Sequence, residues 1–151
     1  MKIYKTLIRP VVTYSSETWT LTAKDEKNLR IFERHILRKI FGPVNIDSVC
    51  RIRNNTEIDN LIEGADIARF IKAQRIKWLG HIQRTDQTRP TRKLLDWKPM
   101  GTRPVGKPRQ RWQEDVMEDI KKPKVKNWKE EAKDRRTWRD LAEKAKTLKG
   151  L

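Results

Sequence analysis

The stretch from Thr22 to Pro43 leaves the chain the fewest folding options. "TAKD" at 22–25 reads as a capping box, with the Thr22 hydroxyl facing the amide three residues on. Leu29, Phe32, Ile36, Leu37, Ile40 and Phe41 then form an apolar stripe at helical spacing. Gly42 and Pro43 supply the stop, a positive-φ cap followed by a residue that cannot continue a helix. The segment therefore predicts one helix, with its core centred on Phe32, Ile36, Leu37 and Ile40. Arg30, Arg34 and Arg38 repeat every fourth residue on the other face. That ridge reads either as a solvated helix face or as a cationic contact surface.

The same period runs through the rest of the chain, so the expected class is all-α. Ile3, Leu7, Val11 and Tyr14 fall on one helix face, with Pro10 forcing a kink or a boundary near Arg9. Residues 44–56 read as a connection, followed by a short helix over 57–63 that Gly64 stops. Asp66 caps a longer helix with Ile67, Phe70, Ile71, Trp78 and Ile82 inward and Arg69, Lys72, Arg75 and Lys77 outward. Gly80 weakens that helix by about 1 kcal/mol relative to Ala, a cost that close approach of another helix would justify. From Arg89 to Arg111, six prolines and glycines interrupt any period, and Asp96 is the only acid among eight cations. Trp112, Val116 and Ile120 mark a further helix ending before Pro123. Asn127 and Glu130 suggest a second capping box, and Trp128, Ala132, Trp138, Leu141 and Ala145 an apolar face with a break near Asp134. The expected organisation is a helical region at 1–88, a basic Pro/Gly-rich linker at 89–111 and a C-terminal helical region at 112–151.

Charge narrows the function. Lys and Arg number 36 against 20 Asp and Glu in 151 residues, a net +16. Such a field draws in polyanions, and nucleic acid ranks ahead of an anionic membrane surface. No segment approaches the ~20 apolar residues of a membrane span. The single cysteine, Cys50, can form no internal disulfide, and the start "MKIYKTLIRPVVTYSS" lacks a clean signal core, so an intracellular location is expected.

Catalytic groups do not converge in the sequence. His35, His81 and Cys50 have no metal-ligand spacing, and His81 reads as a surface or packed histidine. The acid pairs Glu114–Asp115, Glu118–Asp119 and Glu130–Glu131 sit among lysines, where i,i+4 pairing explains them. The residues alone therefore describe a binding module with no catalytic site, no cofactor and no metal. Of the six tryptophans, Trp97 alone stands in the irregular basic stretch; the others fall at core spacing. "GKPRQRW" at 106–112 reads either as a solvated linker or as a mobile basic loop whose Lys107, Arg109 and Arg111 follow a phosphate chain. Trp112 anchors it to the core, and the acids after it cap the helix start.

The order of these segments resembles the region after the palm domain in non-LTR retrotransposon endonuclease–reverse transcriptases. "YKTLIRPVVTYSSETWTLT" carries the first motif through Arg9, Pro10, Tyr14, Glu17 and Trp19. "RIFERHILRKIFGP" carries the second through Glu33, Arg34, Leu37, Arg38, Gly42 and Pro43. "RIKWLGHIQR" matches through Arg75, Trp78, Gly80, His81 and Arg84, then "GKPRQRW", then "NWKEEAKDRRTWR" through Trp128, Ala132, Asp134, Arg135 and Trp138. Ser15 stands where the family often has Gly, and Cys50 where a Trp commonly precedes "RIR". The resemblance implies a thumb-like part over 1–88 and a C-terminal extension. The family's magnesium-binding palm aspartates and its endonuclease lie upstream of this region, so no polymerase or nuclease activity is expected from this chain alone. The expected partners are RNA and RNA–DNA or DNA duplex, with no membrane. If the resemblance holds, the expected setting is a ribonucleoprotein in nucleus and cytoplasm. The candidate contact residues are Arg30, Arg34, Arg38, Arg75, Lys77, Arg84, Arg92, Lys93, Arg103, Lys107, Arg109 and Arg111. Two other readings remain open: a domesticated DNA- or chromatin-binding protein using 57–84 as a helix-turn-helix-like unit, or an inactive retroelement remnant.

Overall fold

The computed structural model describes residues 1–46, 49–63, 66–97, 100–101, 106, 111–123, 125 and 127–147. A π-helical stretch at Tyr4–Ile8 leads into α1 (Arg9–Val12), followed by a 3-10 turn at Ser16–Thr18. Then come α2 (Ala23–Phe41), β1 (Val44–Ile46), β2 (Val49–Arg51), α3 (Asn55–Leu61) and α4 (Ile67–Arg84). The chain continues with α5 (Pro90–Asp96), α6 (Trp112–Lys121), α7 (Trp128–Glu131) and α8 (Arg135–Ala145). The class is all-α apart from one antiparallel ribbon, β1–β2, paired Val44 to Arg51 and Ile46 to Val49. The ribbon falls within the expected connection; its strands are too short to show an alternating pattern.

Local chemistry explains the helix ends. Asp25 N donates to Thr22 Oγ1 at 3.2 Å and Thr22 N donates to Asp25 Oδ2 at 3.0 Å, the reciprocal capping box. Gly42 ends α2 at φ 68°. Asn54 and Glu57 form a second box, which starts α3 two residues before the expected position. Asp66 Oδ1 accepts from Arg69 N at 2.8 Å and starts α4. The box expected at Asn127 is not made; α7 begins without a side-chain cap. Asp134 supplies the break by capping α8 through Arg136 N.

Helix α4 is the axis of the molecule. Ile67, Ala68, Ile71, Ala73, Ile76, Leu79, Gly80 and Ile82 are all buried along it. Ala73, Ile76 and Leu79 join Val116 and Ile120 of α6, Ala132, and Trp138, Ala142 and Ala145 of α8 in one core cluster. A second cluster gathers Tyr4, Leu37, Ile58 and Ile62. The packing thus runs across the basic segment: Trp112 Nε1 donates to Glu17 O at 2.7 Å, joining α6 to the N-terminal turn. Gly80 has the expected close neighbour. A Cβ there would lie 2.0 Å from Trp138 Nε1, and that Nε1 donates to Ile76 O at 2.7 Å.

Three expectations are corrected. The stripe Ile3, Leu7, Val11 and Tyr14 faces solvent, while Tyr4 is buried with Ile8 and Val12 half-buried behind it. That segment is apolar on two adjacent faces, and the one carrying the Tyr4 hydroxyl packs. Residues 89–111 are not wholly irregular, because Pro90 takes the first position of α5, where its missing N–H costs nothing. The outward face expected of α4 is in part interior: Lys72 is 5% exposed and Arg75 is 0% exposed.

Candidate nucleic-acid interface

Charged groups in the interior decide which cations remain outside. Arg75 Nη2 lies 2.7 Å from Asp115 Oδ2 and 3.4 Å from Asp119 Oδ2. Lys72 Nζ lies 2.7 Å from Glu26 Oε1 and 3.5 Å from Asp119 Oδ1. Asp115 Oδ2 also accepts from Leu21 N at 3.2 Å. The cluster ties α2, α4 and α6 together. The acids after "GKPRQRW" are therefore not only surface caps, since Asp115 and Asp119 turn inward. Burial holds the Asp119 carboxyl above its usual range, against the pull of Lys72 and Arg75. A separate carboxylate, Glu33, accepts from the Tyr4 hydroxyl at 2.7 Å and from Ile67 N at 2.8 Å. Burial raises its pKa and the two hydrogen bonds oppose the rise.

The arginine ridge of α2 is a clasp rather than an open face. Arg30 Nε donates to Asp66 Oδ2 at 2.9 Å. Arg34 makes a forked contact with Asp59, with Nη2 at 3.1 and 3.0 Å from its two oxygens. Arg38 donates to Arg53 O at 2.9 Å and to Asn55 Oδ1 at 2.6 Å. All three side chains stitch α2 to α3, to the start of α4, or to the segment between β2 and α3. Lys77 pairs with Glu143 at 2.7 Å, and Arg84 Nη1 donates to Ala132 O at 2.6 Å. Arg92 donates to Gln83 and lies 3.8 Å from Asp96.

Two of the expected contact residues keep their charge at the surface with neither an ion pair nor a side-chain hydrogen bond among the described residues. They are Lys93, exposed on α5, and Arg111, half-exposed at the start of α6. Arg103, Lys107 and Arg109 lie outside the described residues. As contact residues, sequence reasoning passed over Arg135 and Arg136, which are both exposed in the first turn of α8. The spacing of "RRTWR" around one buried tryptophan was the available signal. Buried among the described residues are three acids, Glu33, Asp115 and Asp119, against two cations, Lys72 and Arg75. Among the described residues burial thus withdraws one more acid than cation from the surface.

Groove reading by α4 has little room. Its half-exposed face, Gln74, Lys77 and Trp78 with exposed His81, adjoins Glu17 in a cleft of about 290 Å³. Lys77 is already held by Glu143, and the His81 ring stacks on Trp78 at 5.1 Å. Among the described residues no group of three or more His, Cys, Asp or Glu is placed to hold a metal ion, and no helix is long and apolar enough to cross a membrane.

The arrangement is that of a basic helical module, with three acids and two cations buried among the described residues and most of its other charged groups at the surface. The chain is similar to a transposon-derived protein of Caenorhabditis elegans, 25% identical over 144 residues. The match takes in 91% of this chain and 52% of the relative, so the chain spans about half the relative's length. That likeness supports an origin in a transposable element. No family model matches the chain, and no solved structure matches it.

Proposed function

We propose that this chain is the nucleic-acid-gripping C-terminal part of a non-LTR retrotransposon reverse transcriptase. It holds RNA or an RNA–DNA duplex by its phosphates and carries no polymerase site of its own. The observation that carries the reading is the distribution of charge. The chain carries a net +16; among the described residues burial removes three acids and two cations, while Lys93, Arg111, Arg135 and Arg136 remain outside. A fixed positive surface without base-reading geometry attracts phosphate irrespective of sequence. The transposon-derived relative and the order of the motifs support the retroelement assignment. The basic run at 103–111 leads in sequence into the anchored Trp112 and is the first candidate for the contact.

The test compares wild type with a chain carrying Arg103→Ala, Lys107→Ala, Arg109→Ala and Arg111→Ala. Affinity for two unrelated RNA–DNA duplexes should fall by about the same factor, with helical content unchanged. Loss on one sequence alone would mean base readout, and no loss on either would remove the loop from the interface.

A further inference from the structure

We propose that Trp97 is a stacking platform for one unpaired nucleobase, with Lys93 holding an adjacent phosphate. The inference rests on the nucleic-acid reading above and names the single-stranded ligand class. Trp97 is 62% exposed, whereas Trp138 is buried and the other four tryptophans are half-buried. It stands at the C-terminal end of α5, where its N–H donates to Lys93 O at 3.0 Å. Residues 93, 94 and 97 share one side of that helix by their spacing. On the opposite side Leu95 packs on the core of α4, α6 and α8, and Arg92 is held by Gln83, so the platform is fixed to the body.

Gln87, Arg92, Lys93, Asp96 and Trp97 line a shallow cleft of about 410 Å³. Arg92 lies 3.8 Å from Asp96 and offsets its charge, which leaves the Lys93 ammonium to act on an anion. Leu94, 66% exposed and three residues before Trp97, adds apolar surface on the same side of α5. A flat ring next to an uncompensated cation suits a base and its phosphate. A base inside a duplex has both faces covered by its neighbours, so along a strand only unpaired bases can use the ring.

The experiment titrates the full-length chain with oligouridine, with oligodeoxythymidine of the same length, and with a blunt duplex. It reads affinity and tryptophan emission. Trp97→Ala should lose about 5- to 150-fold on single strands, with the duplex changed by no more than about twofold. Trp97→Phe should keep most of the affinity, and the share of the emission quenching that Trp97 contributes in wild type should be missing from both variants. Loss on both strands assigns the base face common to RNA and DNA; loss on one assigns that sugar type. Unchanged single-strand affinity in Trp97→Ala, or an equal loss on duplex, overturns the platform. Wild type that binds duplex but no single strand overturns it too and leaves the phosphate-gripping function standing. Wild type that binds neither overturns both.

Discussion

Ser15 occupies the left-handed region at φ 59° and ψ 18°, where a side chain costs roughly 1–2 kcal/mol and glycine costs nothing steric. The expectation of a glycine at this position thus has a backbone reason in this chain. Ser15→Gly should raise stability by about 1 kcal/mol, read from denaturant midpoints. Gly80 is the converse: Gly80→Ala drives a methyl into the Trp138 indole and should cost about 1–3 kcal/mol or more. Glu33 sets a pH dependence. Its folded pKa is raised, so its contribution is fully present below the unfolded value and is lost as pH climbs through the folded one. Glu33→Gln should flatten that part of the stability–pH curve. Cap residues such as Thr22 and Asp66 were legible because their partners lie three residues away. Glu33, Arg75, Asp115 and Asp119 were not: whether a charge is buried depends on partners tens of residues distant.

Helix α2 shows how far a period carries at the element scale. Its extent and both ends follow from the sequence, but its packed face is rotated. Leu37 is 0% exposed, Phe32 is 39% exposed and Ile36 is half-buried. A wide apolar stripe permits several rotations, and the clasps from Arg30, Arg34 and Arg38 choose among them. Leu37→Ala should cost about 2–5 kcal/mol and Ile36→Ala distinctly less, measured by urea unfolding. The reverse order would misplace the core. The N-terminal segment has the same ambiguity, and there the Tyr4–Glu33 bond chooses the face. For the candidate site, the basic run was legible by composition, whereas the pairing of the α2 ridge with Asp59 and Asp66 was not.

Across the whole molecule, the Arg75–Asp115–Asp119–Lys72–Glu26 cluster joins segments on both sides of the basic stretch. Removing one partner leaves an uncompensated interior charge, so Asp115→Ala should cost about 3–5 kcal/mol. The residues carrying the family resemblance include those that hold this body together: Glu33, Leu37, Arg75, Gly80, Trp112, Ala132 and Trp138. These positions therefore serve the packing of this chain, and binding must be measured on the surface cations. The most direct measurement is the slope of log K against log salt for the intact chain on two unrelated RNA–DNA duplexes. The account predicts a linear fall, equal for both sequences. With Arg103, Lys107, Arg109 and Arg111 replaced by Ala, the slope should be shallower by about 0.9 for each duplex phosphate that is no longer neutralised. Binding that does not respond to salt, or no binding at low salt, would contradict it.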